Sequence, residues 1–336
     1  MFSLTNHLYI RKEGSNNVKL YLKKKVIKIE RKELMKKTLL IVLTAILLLS
    51  FTSVRAESNK KIYFTNMNGV ELTEQQYNNL LEGFSPDTIN TMSAEMINPL
   101  KNDTNIQKNT TTKYVKVITE YKNGEAINSI QEEVSKLEYD ASPEIDSIIV
   151  ATKGTKFIGT DYVETNYKKI TLEITFGASV STKYVTLTNV WKQIPKVKSF
   201  DVLALAPGVA SASFNFNGHR SGYQKWDGNT INYSASSGNW KIVNGSGIWK
   251  KGLGLSQNIV DDTTTSLENS ITVVFLCGAI PFSARATYQH AVSTVTLAQS
   301  QNYTMSSSGM GGLLNFGSNI ASKYDNTPGL EAELDL

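Results

Sequence analysis

From Lys113 onward the apolar positions of this chain recur every second residue, the period of a strand with one buried and one wet face. The clearest case is Ile170 to Phe176, where Ile170, Leu172, Ile174 and Phe176 alternate with Thr171, Glu173 and Thr175. Val115, Val117 and Tyr121 alternate with Lys116 and Glu120, and Lys122-Asn123-Gly124-Glu125 then predicts a hairpin turn. Its partner is expected over Ala126 to Tyr139, although Ile130, Val134 and Leu137 also fit a helical face. Further strands are predicted over Ile145–Thr152, Phe157–Val163, Lys183–Trp191 and Ser199–Leu205, and Val209–Phe216 alternates small and apolar residues. Ile271–Cys277 is unalternated and β-branched, which suits a core strand. Ser283 to Gln299 is β-compatible throughout, but its apolar phase slips near Ala291-Val292, which predicts a bulge or a crossing between sheets. Thr327-Pro328-Gly329 turns the chain into a last strand over Leu330–Leu336. Strands at this spacing with turn signals between them predict a mainly β fold. The expected body is an antiparallel β-sandwich over residues 113–336, either as one sandwich or as two that part near residue 206.

Ahead of it the period changes to that of a helix. Thr73 and Gln76 form a capping-box pattern, and Tyr77, Leu80 and Leu81 make an apolar stripe that Gly83 ends. Ser85-Pro86-Asp87 opens a second helix whose apolar positions are Ile89, Met92, Met96 and Ile97. Residues 57–100 therefore read as a small helical hairpin, preceded by a short strand at Ile62-Tyr63-Phe64 and a turn at Asn68-Gly69. Lys101 to Thr112, polar and without period, reads as a linker.

The longest apolar run, Thr38 to Ser50, follows Lys36-Lys37 and precedes Val54-Arg55-Ala56, a small-x-small cleavage pattern. Residues 35–56 read as a signal peptide cut between Ala56 and Glu57. The alternative is a membrane anchor over residues 38–53, though this run is short against the ~20 residues of a spanning helix. Residues 1–34 are expected to be an upstream extension, with Met35 as the start. This changes the charge. The chain has 35 Lys and Arg against 30 Asp and Glu, a net of +5. Residues 1–56 hold 12 of the basic and 3 of the acidic groups, leaving 23 and 27, a net of −4. The basic total is thus no argument for nucleic-acid binding.

Two blocks carry a resemblance. Asn68-Gly69-Val70-Glu71-Leu72-Thr73-Glu74-Gln75-Gln76-Tyr77 with Phe84-Ser85-Pro86-Asp87-Thr88-Ile89 is one, and Trp191-Lys192-Gln193-Ile194-Pro195-Lys196-Val197-Lys198-Ser199-Phe200-Asp201-Val202 is the other. Both resemble segments of a group of uncharacterised secreted proteins of low-GC Gram-positive bacteria. The resemblance implies export and a β-rich body. It implies no activity and transfers no functional residue.

Candidate chemistry is sparse. The single cysteine, Cys277, sits in an apolar run and reads as a buried small hydrophobe. His290 reads as a hydrogen-bonded core or face histidine, and His219 could serve as a base, but no Gly-x-Ser-x-Gly elbow accompanies any serine. No histidine pair has ligand spacing. Asp261-Asp262 lacks the pattern of a calcium loop and reads as a solvated turn, and Gly245, Gly247, Gly252 and Gly254 read as hairpin turns rather than a phosphate loop. No catalytic residue, metal site or cofactor is assigned.

The aromatic set Tyr223, Trp226, Tyr233, Trp240 and Trp249, in Gly/Ser/Asn-rich loops, is the one binding candidate, as a platform for sugar rings. Against it stands the commoner use of large aromatics as sandwich core. The sequence thus points to an exported, non-enzymatic protein that meets a protein or glycan at the cell surface. A secreted hydrolase without a local motif and a membrane-active β protein are the alternatives.

Overall fold

The computed structural model describes residues 61–123, 125–142, 162–178, 181–192, 194–208, 213–214, 219–244, 250–260, 267–276, 282–306, 313–325, 327 and 329–334. The signal-peptide segment with its cleavage site at Ala56 and Glu57, the expected strand Ile145–Thr152, Trp249, Asp261-Asp262 and Cys277 lie outside these residues.

Strands β1 (Phe64–Thr65) and β2 (Glu71–Leu72) pair across the Asn68-Gly69 turn, where Gly69 adopts φ 76°. Helix α1 (Glu74–Leu81) starts at the Thr73/Gln76 capping box. The second expected helix is in fact two, α2 (Pro86–Thr91) and α3 (Ala94–Ile97), because Met92 leaves helical geometry at φ −67°, ψ 143°. Side chains of the preceding turn cause the break. Asn66 Nδ2 donates to the carbonyls of Ile89 (3.0 Å) and Met92 (2.8 Å), and Asn68 Nδ2 to that of Thr91 (2.8 Å). These amides satisfy carbonyls that helix ends leave without intrahelical partners.

Next come β3 (Gln107–Lys122), β4 (Glu125–Val134), α4 (Lys136–Ala141), β5 (Tyr162–Phe176), β6 (Thr182–Trp191), β7 (Phe200–Pro207) and β8 (Ser213–Phe214). They are followed by β9 (Arg220–Trp226), β10 (Asn229–Tyr233), β11 (Trp240–Asn244), β12 (Lys250–Asn258), β13 (Leu267–Leu276) and β14 (Phe282–Gln289). Helix α5 (Leu297–Ser300), β15 (Tyr303–Met305), β16 (Leu314–Phe316), α6 (Ser318–Ala321) and β17 (Leu330–Leu334) complete the described chain. An eight-stranded sheet has the order β10-β9-β13-β6-β5-β3-β4, with β8 also on β13, and a five-stranded sheet the order β11-β12-β7-β14-β17. Every pairing is antiparallel.

Alternation along these strands builds three apolar layers. Between the sheets, Ile170, Leu172, Ile174, Leu187 and Val273 of the large sheet join Leu203, Leu205, Leu253, Leu255 and Ala286 of the small one in a single core. Outside the large sheet, Leu80, Phe84, Ile89, Met92, Met96 and Ile97 cover Tyr184 and Val274. Outside the small sheet, Val202, Ala204 and Ala206 are covered by Tyr303, Met305, Leu314, Ile320 and Tyr324. The fold is thus mainly β, a sandwich with a small helical layer.

Four expectations need correction. Residues 62–336 form one compact unit, and β7, which contains residue 206, is the middle strand of the small sheet between β12 and β14, so there is no parting into two sandwiches there. The expected linker 101–112 becomes strand from Gln107, paired with β5 from Phe176 backward. Its polar sequence concealed this because the strand is mostly exposed there: cross-strand pairing, including Lys108 with Glu173 at 3.0 Å, sets its conformation, and β-branched threonines suit it. The strand over Ala126–Tyr139 stops at Val134, where Ser135 caps α4 by accepting from Glu138 N–H. The phase slip at Ala291 is the end of β14 and not a bulge, since the His290 and Ala291 N–H groups turn to the carboxylates of Asp325 (2.7 Å) and Asp201 (2.9 Å).

Candidate functional site

Of the aromatic set, Trp249 lies outside the described residues, and Tyr223, Trp226, Tyr233 and Trp240 are packed into the fold rather than gathered on an open surface. Tyr223 is 1% exposed and bonds to Glu268, while Tyr233 and Trp240 are each 9% exposed and belong to the inter-sheet core. The Trp240 indole N–H donates to the Ser234 carbonyl at 2.8 Å, and Trp226 is half-buried against the same core. Burial of Tyr223, Tyr233 and Trp240 puts these three rings to use as packing and leaves no open face on them for a sugar. Gly252 and Gly254 are likewise strand rather than turn residues: a Cβ at Gly252 would stand 2.6 Å from the Leu205 carbonyl, so only glycine lets β12 lie this close to its surroundings.

The molecule's densest chemistry is instead sealed at one end of the inter-sheet layer. Alternation puts Lys168 in phase with Ile170 and Leu172 on β5, Trp191 in phase with Leu187 on β6, and Asp201 in phase with Leu203 on β7. Tyr288 ends the inward row of β14, and His290 continues it. Asp325 and Thr327 come from the segment ahead of β17, which is laid beside β14's end by the Ala291–Tyr324 bridge and by Asp325 N–H donating to the His290 carbonyl at 2.9 Å.

Polar atoms here are densely paired. Lys168 Nζ donates to Asp325 Oδ2 (2.9 Å) and Thr327 Oγ1 (2.8 Å), and it lies 5.0 Å and 5.1 Å from the ring centroids of Trp191 and Tyr288. Asp325 Oδ1 accepts from the Thr327 hydroxyl (3.1 Å) and from the His290 backbone N–H. Asp201 accepts from His290 Nδ1 (2.9 Å), from Ala291 N–H and from the Tyr288 hydroxyl, which in turn accepts from the Trp191 indole at 2.7 Å. The side chains of Lys168 and Asp325 are 0% exposed.

Burial and charge compete in this site. At Lys168 burial outweighs the pull of Asp325 and Asp201 and lowers the pKa. At His290 burial opposes the charge, but the Asp201 carboxylate, helped by Asp325, outweighs it and the pKa is raised. Tyr288 is pushed well above the ordinary phenol range by burial, and next by Asp201. His290 is thus the hydrogen-bonded core histidine expected of it. Lys168, Asp201, Asp325 and Thr327 were not singled out from sequence; the available signal was a lysine and an aspartate standing in phase with core positions of their strands.

His219 offers no comparable site, for its buried Nδ1 has no hydrogen-bond partner among the described residues. Among the described residues no group of three or more His, Cys, Asp or Glu side chains is arranged to hold a metal, and no helix is long and apolar enough to cross a membrane. Accessible polar space lies at a groove of about 650 Å3 at the start of β4, lined by Glu125, Ile127, Lys196, Lys198, Ser293 and Lys323 among others.

No protein-family model matches the chain, and neither does any curated protein sequence. Among solved structures it is similar to ACE19, the collagen binding subdomain of the Enterococcus faecalis surface protein ACE, at 11% identity and a TM-score of 0.24 over 34% of this chain and 79% of that one. It is similar to the collagen adhesin CNA of S. aureus at 9% identity and a TM-score of 0.23, over 55% of this chain and 81% of that one. The pilus protein RrgB of Streptococcus pneumoniae gives 10% identity and a TM-score of 0.25, over 55% of this chain and 42% of that one.

Proposed function

We propose that this is an exported protein that acts at or outside the cell surface by holding a protein or glycan, and not by turning over a substrate. The observation that carries this reading is the separation of reactivity from access. The cluster of Lys168, Asp201, His290 and Asp325 is closed to solvent, whereas the open groove presents Lys196, Lys198 and Lys323 beside a single acid, Glu125. Such a groove favours an anionic or polyhydroxylated surface through complementary charge and hydrogen bonding. The leader-like segment at residues 35–56 supports export, with cleavage after Ala56, and an uncut apolar run would tether the same body to the membrane.

The test is binding of the purified exported protein to immobilised wall polysaccharide and to matrix proteins, collagen among them. Retention on one of these, weakened roughly tenfold or more when Lys196, Lys198 and Lys323 are together changed to Glu, is the expected result. Retention that the triple variant leaves unchanged would remove the groove from the reading, and no retention on any surface would overturn it.

A further inference from the structure

We propose that Lys168 and Asp325 become joined by a covalent amide, an internal cross-link between the two sheets of the sandwich. The inference concerns the sealed cluster alone and does not depend on what the protein binds.

An ammonium and a carboxylate without solvent are a costly pair, and a shift of one proton along the 2.9 Å contact from Nζ to Oδ2 turns them into a neutral amine and a neutral acid. The lowered pKa of Lys168 favours the amine. The amine lone pair then stands beside the Asp325 carboxyl carbon, held there by strand β5, by the bond of Asp325 N–H to the His290 carbonyl and by the Thr327 hydroxyl that accepts from Nζ at 2.8 Å. Fixed neighbours of this kind react as if at very high concentration, with effective molarities of about 10⁵–10⁸ M in well-oriented cases.

The carboxyl group is also prepared for attack. Its Oδ1 already accepts two hydrogen bonds, from His290 N–H at 2.7 Å and from the Thr327 hydroxyl at 3.1 Å, which are the donors an oxyanion needs. The Nζ–Cγ bond forms, and charge gathers on Oδ1. A second proton passes from Nζ to Oδ2, the Cγ–Oδ2 bond breaks, and Oδ2 leaves as water. An ammonium and a carboxylate have become an amide and one water, with no change of oxidation state and no co-reactant. The amide oxygen keeps both donors of Oδ1. Asp201 acts as a positioning residue, since it holds His290 and Tyr288 rather than the reacting atoms.

Placement gives the bond a purpose. Lys168 lies on β5 of the large sheet and Asp325 just ahead of β17 of the small one, 157 residues apart, so the link ties the two sheets to each other. Tension applied between residues 168 and 325 would pass through the amide and spare the strands between them.

Intact-mass measurement of the purified protein, with both termini sequenced, tests this. The expected mass is one water below that of the sequence, with the deficit mapped by proteolysis to a branched peptide containing Lys168 and Asp325. Lys168→Met and Asp325→Ala are each expected to restore the full mass and slow migration in a denaturing gel. If either fails to fold, the wild-type branched peptide decides alone. A wild-type protein at full mass, with Lys168 cleaved by trypsin as a free lysine, overturns the proposal, and so does a deficit that maps to any other pair.

Discussion

Two lysine–aspartate pairs, Lys225–Asp87 at the rim of the helical layer and Lys168–Asp325 between the sheets, use the same chemistry in opposite settings. The first is 2.6 Å long with side chains 37% and 29% exposed; the second is 2.9 Å long and wholly buried. At the rim, water screens the charges and the helices are held by Leu80, Ile89, Met92, Met96 and Ile97, all 0% exposed. At the sealed end both side chains are closed to bulk solvent, so each charge must find several protein partners or lose its charge. The region held by apolar burial tolerates an approximate polar contact, while the polar region depends on completeness.

The largest expected effect comes from breaking that completeness. Asp201→Ala leaves the Tyr288 hydroxyl, the His290 ring N–H and the Ala291 N–H without their acceptor, and should lower unfolding free energy in urea by about 3–5 kcal/mol. A loss below that of an ordinary core truncation would refute the contrast. That core truncation is Leu80→Ala in the helical layer, expected to lower stability by about 3 kcal/mol, read as a drop in the heat-unfolding midpoint.

The two regions should also differ in pH response. His290 has a folded pKa raised above its ordinary value of about 6.5, so its protonated form contributes stability that is complete below that value and lost as pH rises through the raised one. Asp201 faces the ring, with Asp325 and Lys168 close by, and their charges enter the same balance. Urea midpoints should therefore fall from mildly acid to mildly alkaline pH, and His290→Gln should flatten that slope; an unchanged slope would assign it elsewhere. Smallest of all is Lys225→Ala, expected to cost about 1 kcal/mol or less and to fade in high salt. A loss of several kcal/mol would mean the rim pair is more than an accessory.

The strands were legible where one face is buried, as at Ile170–Phe176, because burial writes alternation into the sequence. They were illegible where pairing alone sets the conformation, as at Gln107–Thr112. The break at Met92 depended on Asn66 and Asn68, more than twenty residues upstream, and a helical stripe contains no record of a donor outside it. The aromatic candidates failed for a related reason. Composition put Tyr223, Tyr233 and Trp240 in loops, whereas they lie on β9, β10 and β11, and the side toward which each ring packs follows from which strands neighbour them.

What the sequence determined by itself was local: the capping box at Thr73, the turn at Asn68-Gly69, the alternation of β5 and β6, and a mainly β class for the body. It also placed Lys168 and Asp201 in phase with core residues, though nothing nearby in the chain accounts for a charge there. Only the tertiary structure decided that account, by setting β5, β7 and β14 so that Lys168, Asp201 and His290 share one end of the layer with Asp325. The physical reason is separation. Backbone periodicity acts over a few residues, whereas the contact between Lys168 and Asp325 spans 157 and exists only once two sheets have closed over it.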